Sequence, residues 1–337
     1  GFGLRSRWRL HRAGRAGRLM DAFVADDRAF AERVARLRLP PHEVFIGFSY
    51  AALETIRAEK ARGVWTIVDQ IDPGRMEWIL VAEEAARWPQ YADPPGPAPA
   101  GYYERAEAVS READSIVVNS DWSRDILIQQ GAPAGRIHVL PLAYEPAAAP
   151  PVAKPRGTGP LTVLWLGSVI LRKGIHYLVE AVRLLEGAPV RFKVAGPIGI
   201  RAEAIRAAPD SMEWLGSVPR SEADRLFREA DVFMLPTLSD GFAITQVEAL
   251  AHGVPVIATP NCGAVVEEGR TGFIVPPRDP EALASAVLRF VQDRELSAAM
   301  RPACVAAASR FRIDAYADRL VGILERGMAS RKRGVAG

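Results

Sequence analysis

Cysteine and histidine are scarce in this chain, and no long apolar run is present. Cys262 and Cys304 are the only cysteines among 337 residues. Two are too few for a disulfide framework or a cysteine-rich metal site, and they fit a reducing cytoplasm. The 5 histidines do not group, and His176 and His252 fall on predicted helices with no acid or histidine at ligand spacing. Both read as structural. No stretch of about 18 apolar residues occurs, so no spanning helix is predicted. No apolar segment follows the basic N-terminus, so a secretory leader is not expected. No G-x-G-x-x-G follows a strand, which argues against a nicotinamide-dependent oxidoreductase.

Hydrophobic residues make up 49% and charged residues 25%, with a net charge of +3. That is the composition of a soluble globular protein, and the length suits two domains of ordinary size. Basic residues concentrate at the ends, notably Arg5, Arg7, Arg9, Arg12, Arg15 and Arg18. With Phe2, Leu4, Trp8, Leu10 and Leu19 they read either as a peripheral contact with an anionic membrane surface or as a solvated basic stretch. No nucleic-acid partner is expected.

From residue 161 onwards strand and helix alternate. Strands are predicted at 161–166, 190–195, 212–215, 232–236, 254–259 and 273–275. Helices are predicted at 175–185, 202–207, 222–229 (with Ser221 as cap), 243–251 and 281–291. Such alternation implies a doubly wound parallel sheet with its site at the carboxyl ends of the strands. The segment 145–160, EPAAAPPVAKPRGTGP, reads as a linker. Before it runs a shorter α/β pattern. It has helices at 20–37, 51–62, 102–113 and 122–130, and strands at 44–48, 65–68, 115–118 and 138–141.

The most telling stretch is SDGFAITQVEALAHGVPVIAT, residues 239–259. Asp240 and Glu248 stand with seven residues between them, across a glycine turn and a short helix. Gly241 frees the backbone at the turn. The helix that follows offers free amides to an anion, and Glu248 lies where a carboxylate takes two neighbouring hydroxyls. Upstream, LWLGSVILRKGI ends a buried strand at Gly167 and places Arg172 and Lys173 before a helix. Amides and cations together suit a pyrophosphate.

This pattern resembles retaining glycosyltransferases of the GT-B fold, family 4 (group 1). The resemblance is strong over 161–291, moderate over 44–142 and weak before residue 40. It implies two Rossmann-like domains facing a cleft: 1–144 on the acceptor side, and 161–337, with a terminal helix, holding a nucleotide-diphosphate sugar. The N-terminal domain then lacks the family's first elements. The resemblance also assigns donor contacts to Gly167, Ser168, Arg172, Lys173, Val218, Asp240, Gly241, Phe242, Ala243, Thr245 and Glu248. Glu248 would bind the ribose, and Asp240 would sit by the transferred sugar. Backbone amides from 241–245 would meet the sugar and distal phosphate, and Gly216, Ser217 and Val218 would line the base. Trp214 and Phe227 read as core. Two departures stand out. Ser168 replaces the family's Arg, leaving Arg172 as its substitute. Asp69 and Gln70 occupy the place of a His at the end of a strand.

Asp69 is the candidate for sugar or acceptor contact, with capping of the next turn as the other reading. Asn119 is a weaker candidate that also suits a turn. Catalytic roles therefore fall to Asp240, Lys173, Arg172 and Asp69. No cofactor and no metal are expected, because cations and a helix N-terminus can carry the leaving phosphate. The implied acceptor is a saccharide or a lipid-linked one, met in the cytoplasm or at the inner membrane surface. A non-catalytic scaffold with a degenerate transferase fold is the alternative.

Overall fold

The computed structural model describes residues 19–98, 101–145 and 159–335. The basic stretch 1–18 and most of the predicted linker, 146–158, lie outside the described residues. The chain divides into two compact units. The first takes in Gly1–Met76, Gly96–Asn119 and Ser123–Val139, and the second Glu77–Pro95, Ser120–Trp122 and Leu140–Gly337.

The first unit contains helix α1 (Leu19–Ala35) and strand β1 (Val44–Phe48), followed by α2 (Leu53–Ala61) and β2 (Trp65–Gln70). Two helices, α3 (Arg75–Arg87) and α4 (Tyr102–Glu112), separate β2 from β3 (Ser115–Val118). Then come α5 (Asp121–Gln129) and β4 (Ile137–Val139). The four strands run parallel in the order β1-β2-β3-β4. Leu53 and Ile56 from α2, Val109 from α4 and Leu127 from α5 pack with Val68, Ile116 and Val118 of the sheet. Polar contacts fix the register. The Asp114 carboxylate accepts from both the amide and the hydroxyl of Thr66 at 3.0 Å. Tyr50 holds a left-handed φ of 69°, unusual for an aromatic residue. Arg105 donates to its carbonyl at 2.7 Å, and its own hydroxyl donates to Asp72 at 2.9 Å.

The second unit is built on β5 (Leu161–Leu166), α6 (Ile175–Leu184), β6 (Val190–Ala195), α7 (Ala202–Arg206) and β7 (Met212–Gly216). It continues through α8 (Arg220–Glu229), β8 (Val232–Leu235), α9 (Ile244–Ala251), β9 (Val256–Ala258) and β10 (Gly272–Ile274). It ends with α10 (Pro280–Gln292), α11 (Leu296–Ala308) and α12 (Ile313–Val335). Its strands are parallel in the order β10-β9-β8-β5-β6-β7. The chain moves outward through β6 and β7, then returns to the other side of β5 with β8. Strand order thus reverses between β5 and β8, where open α/β sheets leave a crevice at the carboxyl ends. Trp165, Phe192, Phe227, Phe233 and Phe290 fill the core. Helix α8 starts at Arg220 with Pro219 before it and no side-chain cap, so Ser221 sits in the first turn and does not cap it.

Helix α3 has no counterpart among the predicted elements, and from Glu77 onward it belongs to the second unit. The reason it was not predicted is visible in its buried face. The inward residue is Glu84, with no exposed surface, and an acid at a core position breaks the apolar period that marks a helix. Glu84 accepts from His176 Nε2 and the Tyr177 hydroxyl at 2.9 Å, and from Arg278 Nε at 2.6 Å. Burial pushes the Glu84 carboxyl up, but hydrogen bonds from His176 and Tyr177 and the charge of Arg278 outweigh it and hold the group below its ordinary value. Burial pushes His176 down, towards the neutral ring that donates through Nε2. Trp88 and Tyr91 enclose that ring, with centroids 5.2 and 5.8 Å away. Both histidines read as structural are so placed, since His252 stacks on Phe227 at 5.2 Å.

Glu84→Ala would strand buried donors and a guanidinium. The expected cost is about 3–5 kcal/mol, measured as a shift of the urea midpoint at pH 7. Because the carboxyl is held low, this contribution is present above its ordinary value and is lost as pH falls through the folded one. A midpoint unchanged by the substitution would refute the role assigned to this network.

Candidate functional site

The loops after β5 and β8 meet at the strand reversal, and a glycine makes the meeting close. Gly174 has φ 72°. A Cβ there would lie 1.8 Å from the Pro236 carbonyl oxygen, closer than any side chain can come. The approach draws the single turn Leu171–Lys173 against the chain that follows β8. The Arg172 carbonyl then accepts from the Leu238 amide at 2.9 Å and the Thr237 hydroxyl at 3.1 Å. A second seam supports the same loop from below. Asn261 Nδ2 donates to the Leu238 carbonyl and Gln246 Nε2 to the Cys262 carbonyl, both at 2.8 Å.

The result brings together Arg172, Lys173 and Asp240. Lys173 Nζ is paired directly with Asp240 Oδ2. Arg172 Nη1 lies 3.6 Å from Asp240 Oδ1 and donates to the Ser239 carbonyl at 2.9 Å. Burial pushes the Lys173 ammonium down to about 8, and Arg172 acts in the same direction, while Cys262 and Glu77 act against it. Lys173 is therefore a partly desolvated cation paired with Asp240 and within electrostatic reach of Glu77, and a desolvated cation makes a strong contact with a phosphate.

Not every amide at 241–245 is available. The Ala243 amide is spent on the Cys262 carbonyl at 3.1 Å, and that of Asp240 on Asn261 at 2.9 Å. The Ala243 amide anchors the loop. Among the described residues, the amides of Gly241, Phe242, Ile244 and Thr245 make no such loop bonds. They stand at the N-terminus of α9, where an anion is favoured. Phe242 is buried against Phe311, so only its backbone can face a ligand.

Glu248 lies on α9, mostly covered, with its carboxylate 3.5 Å from the Arg220 guanidinium. Burial raises its pKa, Arg220 pulls it down, and Asp224 pushes it up. Arg220 also sits 5.8 Å from the Tyr144 ring centroid. Val218 is half-buried beside Gly216, whose carbonyl accepts from the Gly196 amide at 2.7 Å. Gly167 donates to the Ala195 carbonyl at 3.0 Å, and Ser168 beside it is exposed. Trp214 packs on the core and Phe227 is within it.

Asp69 belongs to the first unit, at the end of β2, where burial raises its pKa. Asn119 is a turn residue. Its Nδ2 donates to the Ile71 carbonyl at 3.0 Å, and its Oδ1 accepts from Ser123 at 3.3 Å. Sequence reasoning missed Glu77 and Ser239. The Ser239 hydroxyl donates to Glu77 Oε2 at 2.8 Å, and Arg172 Nη1 lies 3.5 Å from the same oxygen. A signal existed in the spacing of Glu77 and Glu84, which share one helix face, but α3 itself had not been predicted.

Residues 160–293 match the family described as glycosyl transferases group 1. An amylovoran biosynthesis glycosyltransferase from Erwinia amylovora is 29% identical over 49% of this chain and 44% of its own length. A D-inositol 3-phosphate glycosyltransferase from Streptomyces avermitilis is 28% identical over 66% of this chain and 54% of its own. The chain spans about half the length of the curated relatives it matches. A sucrose-phosphate synthase structure from Thermosynechococcus elongatus superposes with a TM-score of 0.67 at 21% identity, covering 95% of this chain and 79% of that one. The Anabaena protein HepE, solved with UDP and glucose, gives 0.67 at 16% identity, covering 90% and 82%. These likenesses establish the fold as GT-B, with two Rossmann-like α/β units.

Gly174→Ala should separate the two loops. The expected result is a lower melting temperature with circular dichroism otherwise unchanged, because the added Cβ meets backbone and not a flexible side chain. An unchanged melting temperature would show that the contact at Pro236 relaxes freely.

Proposed function

We infer that this chain, which carries a group 1 glycosyltransferase domain at residues 160–293, transfers a sugar from a nucleotide-diphosphate donor to a saccharide or lipid-linked acceptor in polysaccharide or glycolipid assembly. One observation carries the reading. At the strand reversal, Arg172 and Lys173 face Asp240 and the N-terminus of α9, with Glu248 further along the same helix. That arrangement supplies charge for a diphosphate, a carboxylate for the sugar and a carboxylate for a ribose.

The chemistry follows from the charges. The bond from the anomeric carbon to the phosphate oxygen breaks, and its electron pair stays on the diphosphate. Lys173, Arg172 and the α9 amides stabilise the dianion, so a metal is not required. The diphosphate competes with Asp240 for both cations, which frees that carboxylate for the sugar hydroxyls. The neighbouring carboxylate, Glu77, is engaged by Ser239 and Arg172 and is not assigned as a nucleophile, and the anomeric carbon gains oxocarbenium character. The acceptor oxygen then attacks from the face the diphosphate leaves and passes its proton to a departing phosphate oxygen, giving retention. Asp69 is the proposed contact to sugar or acceptor from the first unit. Among the described residues no helix is long and apolar enough to cross a membrane. Peripheral attachment is the membrane arrangement proposed, on the charge of Arg5, Arg7, Arg9, Arg12, Arg15 and Arg18 in the sequence, with a solvated basic stretch as the other reading.

Binding measurements test this directly. Glu248→Ala should abolish nucleotide binding with the fold intact, by loss of ribose contacts. Lys173→Ala should weaken UDP, GDP or ADP by about 1.5–3 kcal/mol while sparing the matching nucleoside. Equal losses for diphosphate and nucleoside would place Lys173 elsewhere.

The pH profile gives an independent check. Diphosphate binding needs Lys173 protonated, and its pKa is lowered to about 8. Affinity should hold steady from pH 6.5 to 7.5 and fall as pH rises past 8, and Lys173→Arg should remove the fall. A flat profile to pH 9.5 in the unaltered chain contradicts the assignment.

A further inference from the structure

The cations at the strand reversal face a second carboxylate besides Asp240, delivered from far away in sequence. Glu77 lies in the first turn of α3. Its Oε2 accepts from the Ser239 hydroxyl at 2.8 Å and lies 3.5 Å from Arg172 Nη1. Ser239 is buried, and Trp122 Nε1 approaches its hydroxyl oxygen at 3.4 Å. Glu77 is therefore held in place by a hydroxyl that is itself fixed. Asp240, by contrast, is held mainly by the cations that a diphosphate would take from it. Arg172 and Lys173 against Glu77 and Asp240 make a cluster with no net charge.

We propose that Glu77 is a positioning residue that acts through Arg172 to limit the affinity of the site for a diphosphate. The proposal rests on the donor-site reading above. When a diphosphate displaces Asp240, Glu77 stays anchored to Ser239 and keeps Arg172 partly neutralised. The bound anion then meets less positive charge than two free cations would give, and the spent nucleoside diphosphate leaves more readily.

Glu77→Gln tests this, because it removes the charge and keeps an oxygen for Ser239. UDP, GDP and ADP are titrated calorimetrically into the full chain, alongside uridine, guanosine and adenosine. The diphosphate that binds should tighten by about three- to tenfold, as expected from removing one charge near a partly shielded anion. Its nucleoside should be unaffected, and Glu77→Ala should shift diphosphate affinity in the same direction. The gain should vanish in an Arg172→Ala background, which a double-mutant cycle reads out. Unchanged or weaker diphosphate binding in Glu77→Gln overturns the proposal, as does an equal gain without Arg172. If the unaltered chain binds a diphosphate but shows no gain, this inference alone fails. If it binds none of the three diphosphates, the donor-site reading fails and takes this inference with it.

Discussion

The space that a side chain at residue 174 would fill is taken by the carbonyl oxygen of Pro236, 1.8 Å from the Cβ position. The meeting of the two loops follows from that close approach. It holds the end of β8 against the start of α6, so the turn carrying Arg172 and Lys173 lies on the loop carrying Asp240. Backbone bonds from Leu238 to Arg172 and from Asp240 to Asn261 then fix the loop without using the cations. The side chains remain available because the backbone has already paired.

Electrostatics completes what the backbone arranges. Two cations gathered at the ends of parallel strands repel each other, and burial makes the repulsion worse. The depressed pKa of Lys173 records both effects. Asp240 and Glu77 balance the two cations in a cluster of ion pairs. A buried pair that loses one partner is costly. In the proposed reading a phosphate would take the place of a carboxylate partner, so the cations would keep an anionic partner when a diphosphate binds. The cost of keeping cations ready is thereby spread over acids that have other hydrogen-bond donors or other tasks.

Much of this was legible in the sequence, where local chemistry and local structure coincide. The segment 239–259 reads correctly as turn, helix and strand, because Gly241, Gly253 and the apolar run from Val254 act on their immediate neighbours. The observed helix, Ile244–Ala251, is one residue shorter than predicted, and the observed strand, Val256–Ala258, is about half the predicted length. The role of Ala243 was not legible, since its amide is consumed by Cys262, a residue brought near by tertiary packing. Ser221 looked like a cap because of its type, yet the helix starts one residue earlier, at Arg220. Helix α11 was hidden by its alanine-rich composition and by Pro302 in its interior.

The hardest part to read was α3, and the difficulty comes from how it docks. A helix is recognised from sequence by an apolar stripe, but the stripe here includes Glu77 and Glu84, seven residues apart and so on one face. Between them Leu80 packs on the core of the second unit, and Trp88 follows one turn after Glu84. Glu84 belongs in that stripe because His176, Tyr177 and Arg278 satisfy it. Glu77 belongs there because Ser239 and Arg172 do. Pattern reading treats an acid as solvent-facing, so it misses a face whose anchors are acids. A division of the chain by sequence alone misses the same thing, because residues 77–95 precede the second unit's sheet yet pack with it. One set of buried carboxylate bonds therefore does two jobs. At Glu84 it secures the helix, and two turns earlier the secured helix holds a charge against Arg172.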